Sequence, residues 1–207
     1  PFTVKPANPP PITALGAING GMLQRSRLSA LTLIFSENVA ASLTASDIVL
    51  RNLTTGVTVT PDKLALSFDP ATNLATVTFP GLASQRLPDG LYRVRIEAAS
   101  VTDAEGKSLT EDWIRDFHVL TGDSNGDRAT NDLDLYRAWQ ERLKGAAAHD
   151  ANNDLNGDGK FDDADVDQVR GNYRKRLPIL GGLSSEAGGA ASGSAFALLS
   201  ARSSSEA

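Results

Sequence analysis

Two stretches of twelve residues carry oxygen-bearing side chains at matching intervals. The first runs Asp123-Ser-Asn-Gly-Asp-Arg-Ala-Thr-Asn-Asp-Leu-Asp134, the second Asp154-Leu-Asn-Gly-Asp-Gly-Lys-Phe-Asp-Asp-Ala-Asp165. Positions 1, 3, 5, 9 and 12 are Asp123, Asn125, Asp127, Asn131 and Asp134 in one, and Asp154, Asn156, Asp158, Asp162 and Asp165 in the other. Position 7 donates a backbone carbonyl, so its side chain is free to vary, and here it is Ala129 and Lys160. This spacing lets one short loop wrap a hard cation in roughly six or seven oxygens, which is the coordination Ca2+ takes. Two loops predict two ions. A tighter Mg2+ octahedron suits them less well.

Position 6 of such a loop turns sharply and asks for glycine. Gly159 meets that demand and Arg128 does not. A non-glycine residue at positive φ costs about 1 kcal/mol, so the second loop is expected to bind more tightly. A single Asp-x-Asn-x-Asp reads equally well as a solvated turn. Two copies in register, starting at Asp123 and Asp154, favour the metal reading.

Each loop runs into a helical pattern. Leu135, Trp139 and Leu143 recur every four residues behind the first, with Tyr136 beside them. Val166, Val169, Tyr173 and Leu177 follow the second at helical spacing. The two apolar stripes are expected to bury each other, with Trp139 and Tyr173 in the core. A unit spanning residues 121–178 buries little surface by itself, so metal binding is expected to supply folding free energy.

From Gly122 to about Leu177 this duplicated loop–helix pattern resembles the type I dockerin module. The resemblance rests on Gly122-Asp-Ser-Asn-Gly-Asp127, Asn131-Asp-Leu-Asp-Leu135, Asp154-Leu-Asn-Gly-Asp-Gly159 and Asp162-Asp-Ala-Asp-Val166, with Asp at position 12 of both loops. It implies a calcium-dependent plug that docks onto a cohesin-like module of another protein. Its contacts would centre on positions 10 and 11 of each loop (Asp132 and Leu133, Asp163 and Ala164) and on the helices behind them, including Arg137 and Arg170. Cellulosomal dockerins often carry a hydroxyl pair at positions 10 and 11; this chain does not.

Residues 12 to about 120 read as short strands between turn signals. Leu28–Phe35 and Asp47–Leu53 are rich in β-formers. Leu64–Phe68 and Ala75–Phe79 flank the hairpin loop Asp69-Pro-Ala-Thr-Asn73. In Leu91–Ile96, Tyr92, Val94 and Ile96 alternate with Arg93 and Arg95. Phe117 and Val119 alternate with His118, which predicts an outward-pointing histidine. The stretch resembles bacterial Ig-like modules on Phe35-Ser-Glu-Asn-Val39, Pro88-Asp-Gly-Leu-Tyr92 and Val101-Thr-Asp-Ala-Glu-Gly106. The expected fold is therefore an all-β Ig-like sandwich (12–120) followed by a small all-α calcium-binding, dockerin-like module (121–178), a multidomain chain. Residues 1–11 read as the end of a preceding domain and a Pro-rich linker, because Phe2-Thr-Val4 echoes Phe117-His-Val119. Residues 179–207 read as a disordered Gly/Ser/Ala-rich tail with an apolar island at Ala195–Leu199.

The formal net charge of −5, with no basic patch, argues against nucleic acid. No apolar run is long enough to span a bilayer. The absence of cysteine excludes disulfides and thiolate metal sites. No Ser, His and Asp fall into a hydrolase motif, and the carboxylates are mostly spoken for by the loops, so no catalytic residue is assigned and no enzyme is expected. Asp103 and Glu105 before Gly106 read as a polar turn. Three functions fit: a secreted or cell-surface, monomeric interaction region docking to a cohesin-like partner; the accessory end of a polysaccharide-degrading enzyme whose catalytic domain lies upstream; or a calcium-stiffened structural end with no dedicated partner.

Overall fold

The computed structural model describes residues 14–144 and 149–179. The linker expected over 1–11 and the tail, apart from Ile179, lie outside the described residues. Eight strands form two four-stranded antiparallel sheets. One contains β1 (Ala14–Ile18), β2 (Ala30–Phe35), β6 (Leu74–Thr78) and β5 (Ala65–Asp69), in the order β1-β2-β6-β5. The other contains β4 (Thr58–Val59), β3 (Ile48–Asn52), β7 (Gly90–Ile96) and β8 (Trp113–Val119), in the order β4-β3-β7-β8.

Period-two patterning builds the shared core. Leu31, Leu33 and Phe35 of β2 point inward with Ala75 and Val77 of β6. Ile48 and Leu50 of β3, and Tyr92, Val94 and Ile96 of β7, meet them from the other sheet. Each large aliphatic or aromatic side chain buried there contributes roughly 1.5–3 kcal/mol. Tyr92 and Phe117, on paired strands, stack with ring centroids 5.4 Å apart. The Tyr92 hydroxyl donates to the Pro88 carbonyl at 2.7 Å. Outward on β7, Arg93 grips Asp116 with two 2.7 Å bonds, and Arg95 pairs with Asp112.

The expectation of a sandwich followed by a separate all-α module is not what the chain builds. Among the described residues the structure is mostly β, with two short helices, α1 (Asp132–Leu143) and α2 (Asp163–Gly171), and no clear separate all-α module. The reason lies in what the helices can bury. Their own cluster holds only Ala138, Leu155, Phe161, Val166 and Val169, with Leu135 half-buried against it. Leu177, beyond α2, instead joins Leu91 and Leu120 in a seam with the sheet.

Backbone and side-chain bonds close that seam. The connection between β1 and β2 passes between the two acidic loops. Arg25 N–H donates to the Asp123 carbonyl (2.8 Å), and Leu120 N–H donates to the Arg25 carbonyl (2.9 Å). Leu23 N–H donates to Asn152 Oδ1 (2.8 Å), Ser26 Oγ to the Leu155 carbonyl (3.1 Å), and Arg27 Nη1 to the carbonyls of Asn156 (3.0 Å) and Gly157. Among the described residues, no helix is long and apolar enough to cross a membrane.

Candidate metal loops and the groove between the helices

The two loops share one hydrogen-bonded frame. Position 1 accepts from the N–H of position 4 on Oδ1, at 2.6 Å in both loops, and from that of position 6 on Oδ2, at 3.0 Å for Asp123 and 2.9 Å for Asp154. The position 3 carboxamide oxygen accepts from the N–H of position 5, at 3.0 Å for Asn125 and 2.8 Å for Asn156. Position 5 accepts from the N–H of position 7: Ala129 N–H reaches Asp127 Oδ1 at 2.8 Å, and Lys160 N–H reaches Asp158 Oδ1 at 2.9 Å. Ala129 is buried and Lys160 is exposed.

Position 12 closes each loop from behind. Asp134 accepts from Ser124 N–H (2.8 Å), the Ser124 hydroxyl (2.9 Å) and Asn131 N–H (2.9 Å). Asp165 accepts from Leu155 N–H (2.8 Å), Asn156 N–H (3.1 Å) and Asp162 N–H (2.9 Å). Asn131 and Asp162 at position 9 are helix N-caps, accepting from Leu133 N–H and Ala164 N–H at 2.8 Å. Each pairs with the carboxylate three residues on as a capping box. The loop sequence is thus also the helix start signal. Burial pushes the Asp134 carboxyl above the usual carboxylate range, against the pull of its N–H donors, and the Asp123 charge pushes the same way.

These residues fit a hard cation by donor type, since every assigned ligand offers oxygen. In the first loop, Asn125 Nδ2 and Asn131 Nδ2 both lie 3.1 Å from Asp127 Oδ2, so positions 3, 5 and 9 converge on one point. Their carboxamide oxygens meanwhile accept from Asp127 N–H and Leu133 N–H. No three His, Cys, Asp or Glu side chains among the described residues converge tightly enough to hold a metal without carboxamide or backbone help. A bound divalent ion would favour the charged form of Asp134, against the push of burial.

The position 6 expectation concerns backbone geometry, and Arg128 lies at φ 68° beside Gly159 at φ 83°. Gly126 and Gly157 also have positive φ, and both abut the β1–β2 connection. A Cβ on Gly126 would stand 2.7 Å from the Leu23 carbonyl oxygen, and one on Gly157 would run into the Arg27 guanidinium. The Thr130 N–H and carbonyl pair with Lys175 and Arg174 (2.9 and 2.7 Å), and Leu177 N–H donates to the Arg128 carbonyl (2.9 Å), so residues 174–177 close the first loop from its other side.

Two side chains differ from expectation in what surrounds them. His118 does not face solvent: it is fully buried, and its Nε2 lies 2.8 Å from Asp123 Oδ2. The outer face of β8 at His118 is covered by the start of the first loop, at Asp123. Trp139 does not fill a helix–helix core and is 53% exposed, with Tyr136 and Leu143 exposed beside it. The inward face of α1 is Asp134, Ala138 and Glu141. Buried Glu141, which sequence reasoning missed, accepts from Lys144 Nζ (2.7 Å), Asp150 N–H (2.8 Å) and Asn153 Nδ2 (2.8 Å), with His149 Nδ1 at 3.1 Å. Burial pushes its carboxyl up, but these partners outweigh it and hold it below the usual range.

The helices enclose an open groove of about 750 Å3 lined by Asp132, Leu135, Tyr136, Trp139, Arg142, Asp163, Val166, Asp167 and Arg170. Of the expected partner-contact residues, Asp132, Asp163 and Arg170 line it. Exposed Leu133 and Ala164 and half-buried Arg137 do not. Arg142 bonds Asp163 across one end and the Tyr173 hydroxyl donates to Asp132 across the other. Asp103 closes a turn, accepting from Glu105 N–H (3.0 Å), Lys107 N–H (2.8 Å) and Lys107 Nζ (3.0 Å). A comparison with protein-family models and with curated protein sequences returns no match to this chain.

Proposed function

We propose that this chain is a non-catalytic, calcium-binding interaction region of a larger secreted or cell-surface protein. Its two loops bind Ca2+, fix the rotation of α1 and α2, and present the groove between them to a cohesin-like protein module. The observation that carries this reading is the repeated frame: seven side-chain or backbone bonds recur at the same loop positions in Asp123–Asp134 and Asp154–Asp165. Half-exposed Trp139 and Tyr136, flanked by Asp132, Asp163 and Arg170, give the groove an aromatic floor with a charged rim, the composition of an interface centre.

Calorimetric titration of the full chain with Ca2+, with circular dichroism before and after chelation, tests the metal half of the proposal. Two bound ions and a loss of helix on chelation are expected; absence of any bound ion would end it. Capture of the chain by a panel of cohesin modules, with and without Ca2+, tests the docking half.

A second reading has its own support. Both loops lean on residues 23–27, which suits a calcium-stiffened brace with no dedicated partner. Two bound ions with no cohesin capture would favour it.

A further inference from the structure

The first loop differs from the second in what holds its leading ligand. The Asp154 carboxylate is held by the backbone N–H groups of Gly157 and Gly159. Asp123 takes the equivalent bonds from Gly126 and Arg128, another from Asn125 N–H at 3.2 Å, and a side chain from the sandwich, His118. His118 and Asp123 are both fully buried. His118 sits in β8 opposite Leu91 of β7, so its position is fixed by the sheet and not by the loop. Resting on the calcium reading above, we infer that His118 is a positioning residue for the first calcium loop: its Nε2–H fixes Asp123 Oδ2 and thereby couples ion binding to the outer face of β8.

The chemistry is that of a ligand steered by a second hydrogen bond. A carboxylate has about four lone-pair directions. An N–H that takes one of them from a rigid strand selects the carboxylate's rotamer. This loop needs such help more than its sibling. Its position 6 carries Arg128 at φ 68°, where the second loop has glycine, so its turn is the more costly of the two. A donor anchored in the sheet offsets that disadvantage without adding anything to the loop sequence. The coupling is reciprocal by linkage: if β8 favours the bound loop, the bound ion favours β8.

The test uses the full chain as wild type, His118→Gln and His118→Leu, titrated with Ca2+ and followed by the amide resonances of each loop. Gln places an amide N–H near the histidine Nε2–H, and Leu places none. The expected result is a 10–100-fold weaker first site in His118→Leu, an unchanged second site, and recovery of most of the loss in His118→Gln. A packing role alone would not be rescued by the amide. Wild-type affinity at the first loop in both variants would overturn the inference and leave the calcium reading standing. No Ca2+ bound by the wild type would overturn both.

Should His118→Leu not fold, wild-type amide exchange over residues 116–119 decides. Slower exchange with Ca2+ than with chelator supports the coupling; equal exchange overturns it.

Discussion

Ser26 and Leu155 are 129 residues apart in sequence and joined by a 3.1 Å hydrogen bond from the serine hydroxyl to the leucine carbonyl. The same hydroxyl accepts from Gly122 N–H at 2.9 Å. One small side chain, 1% exposed, therefore satisfies a backbone group ahead of the first loop and another inside the second. Ser26→Ala leaves both groups buried without their partner, and an unsatisfied buried polar group costs about 1–3 kcal/mol. Urea denaturation of the full chain should show a loss in that range; a change below about 0.5 kcal/mol would mean the bridge carries little.

Arg128 and Gly159 invite a direct exchange. Arg128→Gly removes about 1 kcal/mol of left-handed strain, or roughly a fivefold gain in affinity at the first loop. Gly159→Ala should cost the second loop a similar amount from backbone strain alone, since nothing lies within 4 Å of the added Cβ. Calorimetric titration reads both, and equal affinities before and after the exchange would count against strain as the cause.

Gly122 is constrained twice. Its φ is 92°, and an added Cβ would stand 2.8 Å from Thr130 Cγ2 and 2.9 Å from the Gln168 carbonyl oxygen. Gly122→Ala should therefore destabilise the chain by more than Gly159→Ala does, by about 2 kcal/mol or more. Thermal melts of the two variants with chelator present make the comparison, and equal melting temperatures would refute it.

Burial is the largest influence on the Tyr92 phenol and pushes it up to about 12. The folded chain then holds a proton that the unfolded chain releases near pH 10. Stability from this group is intact below about pH 10 and is lost as pH rises towards 12, on the order of 2 kcal/mol in all. Alkaline titration of phenolate absorbance, with Tyr92→Phe as reference, should show one late-ionising phenol and a flatter alkaline stability limb in the variant.

The strands were largely legible because one face of each is wet and the other dry. Tyr92, Val94 and Ile96 alternate with Arg93 and Arg95, and the structure keeps that alternation. His118 shows where the rule stops. Alternation places it opposite Phe117 and Val119, on the outer face, and it is there; only the cover over that face is invisible in a local reading. Trp139 fails for a different reason. Position 12 points Asp134 back into the loop, which fixes the helix rotation and turns Ala138 and Glu141 inward with it, four and seven residues on. The Leu135–Trp139–Leu143 stripe is apolar but lies on the next face round. The loops were legible in residue type and spacing. Their attachment to residues 23–27 was not, because a serine hydroxyl and a few backbone groups leave no pattern in sequence.

The threading of the β1–β2 connection between the two loops also sets an order of events during synthesis. The sheets can pair once Val119 has been made. Leu23, Ser26 and Arg27 must wait for Asn152, Leu155 and Asn156. At about 5–20 residues per second that delay lasts a few seconds. Through it, the amino-terminal turn of a closed sandwich hangs open on the ribosome, and a late segment of the chain fastens an early one.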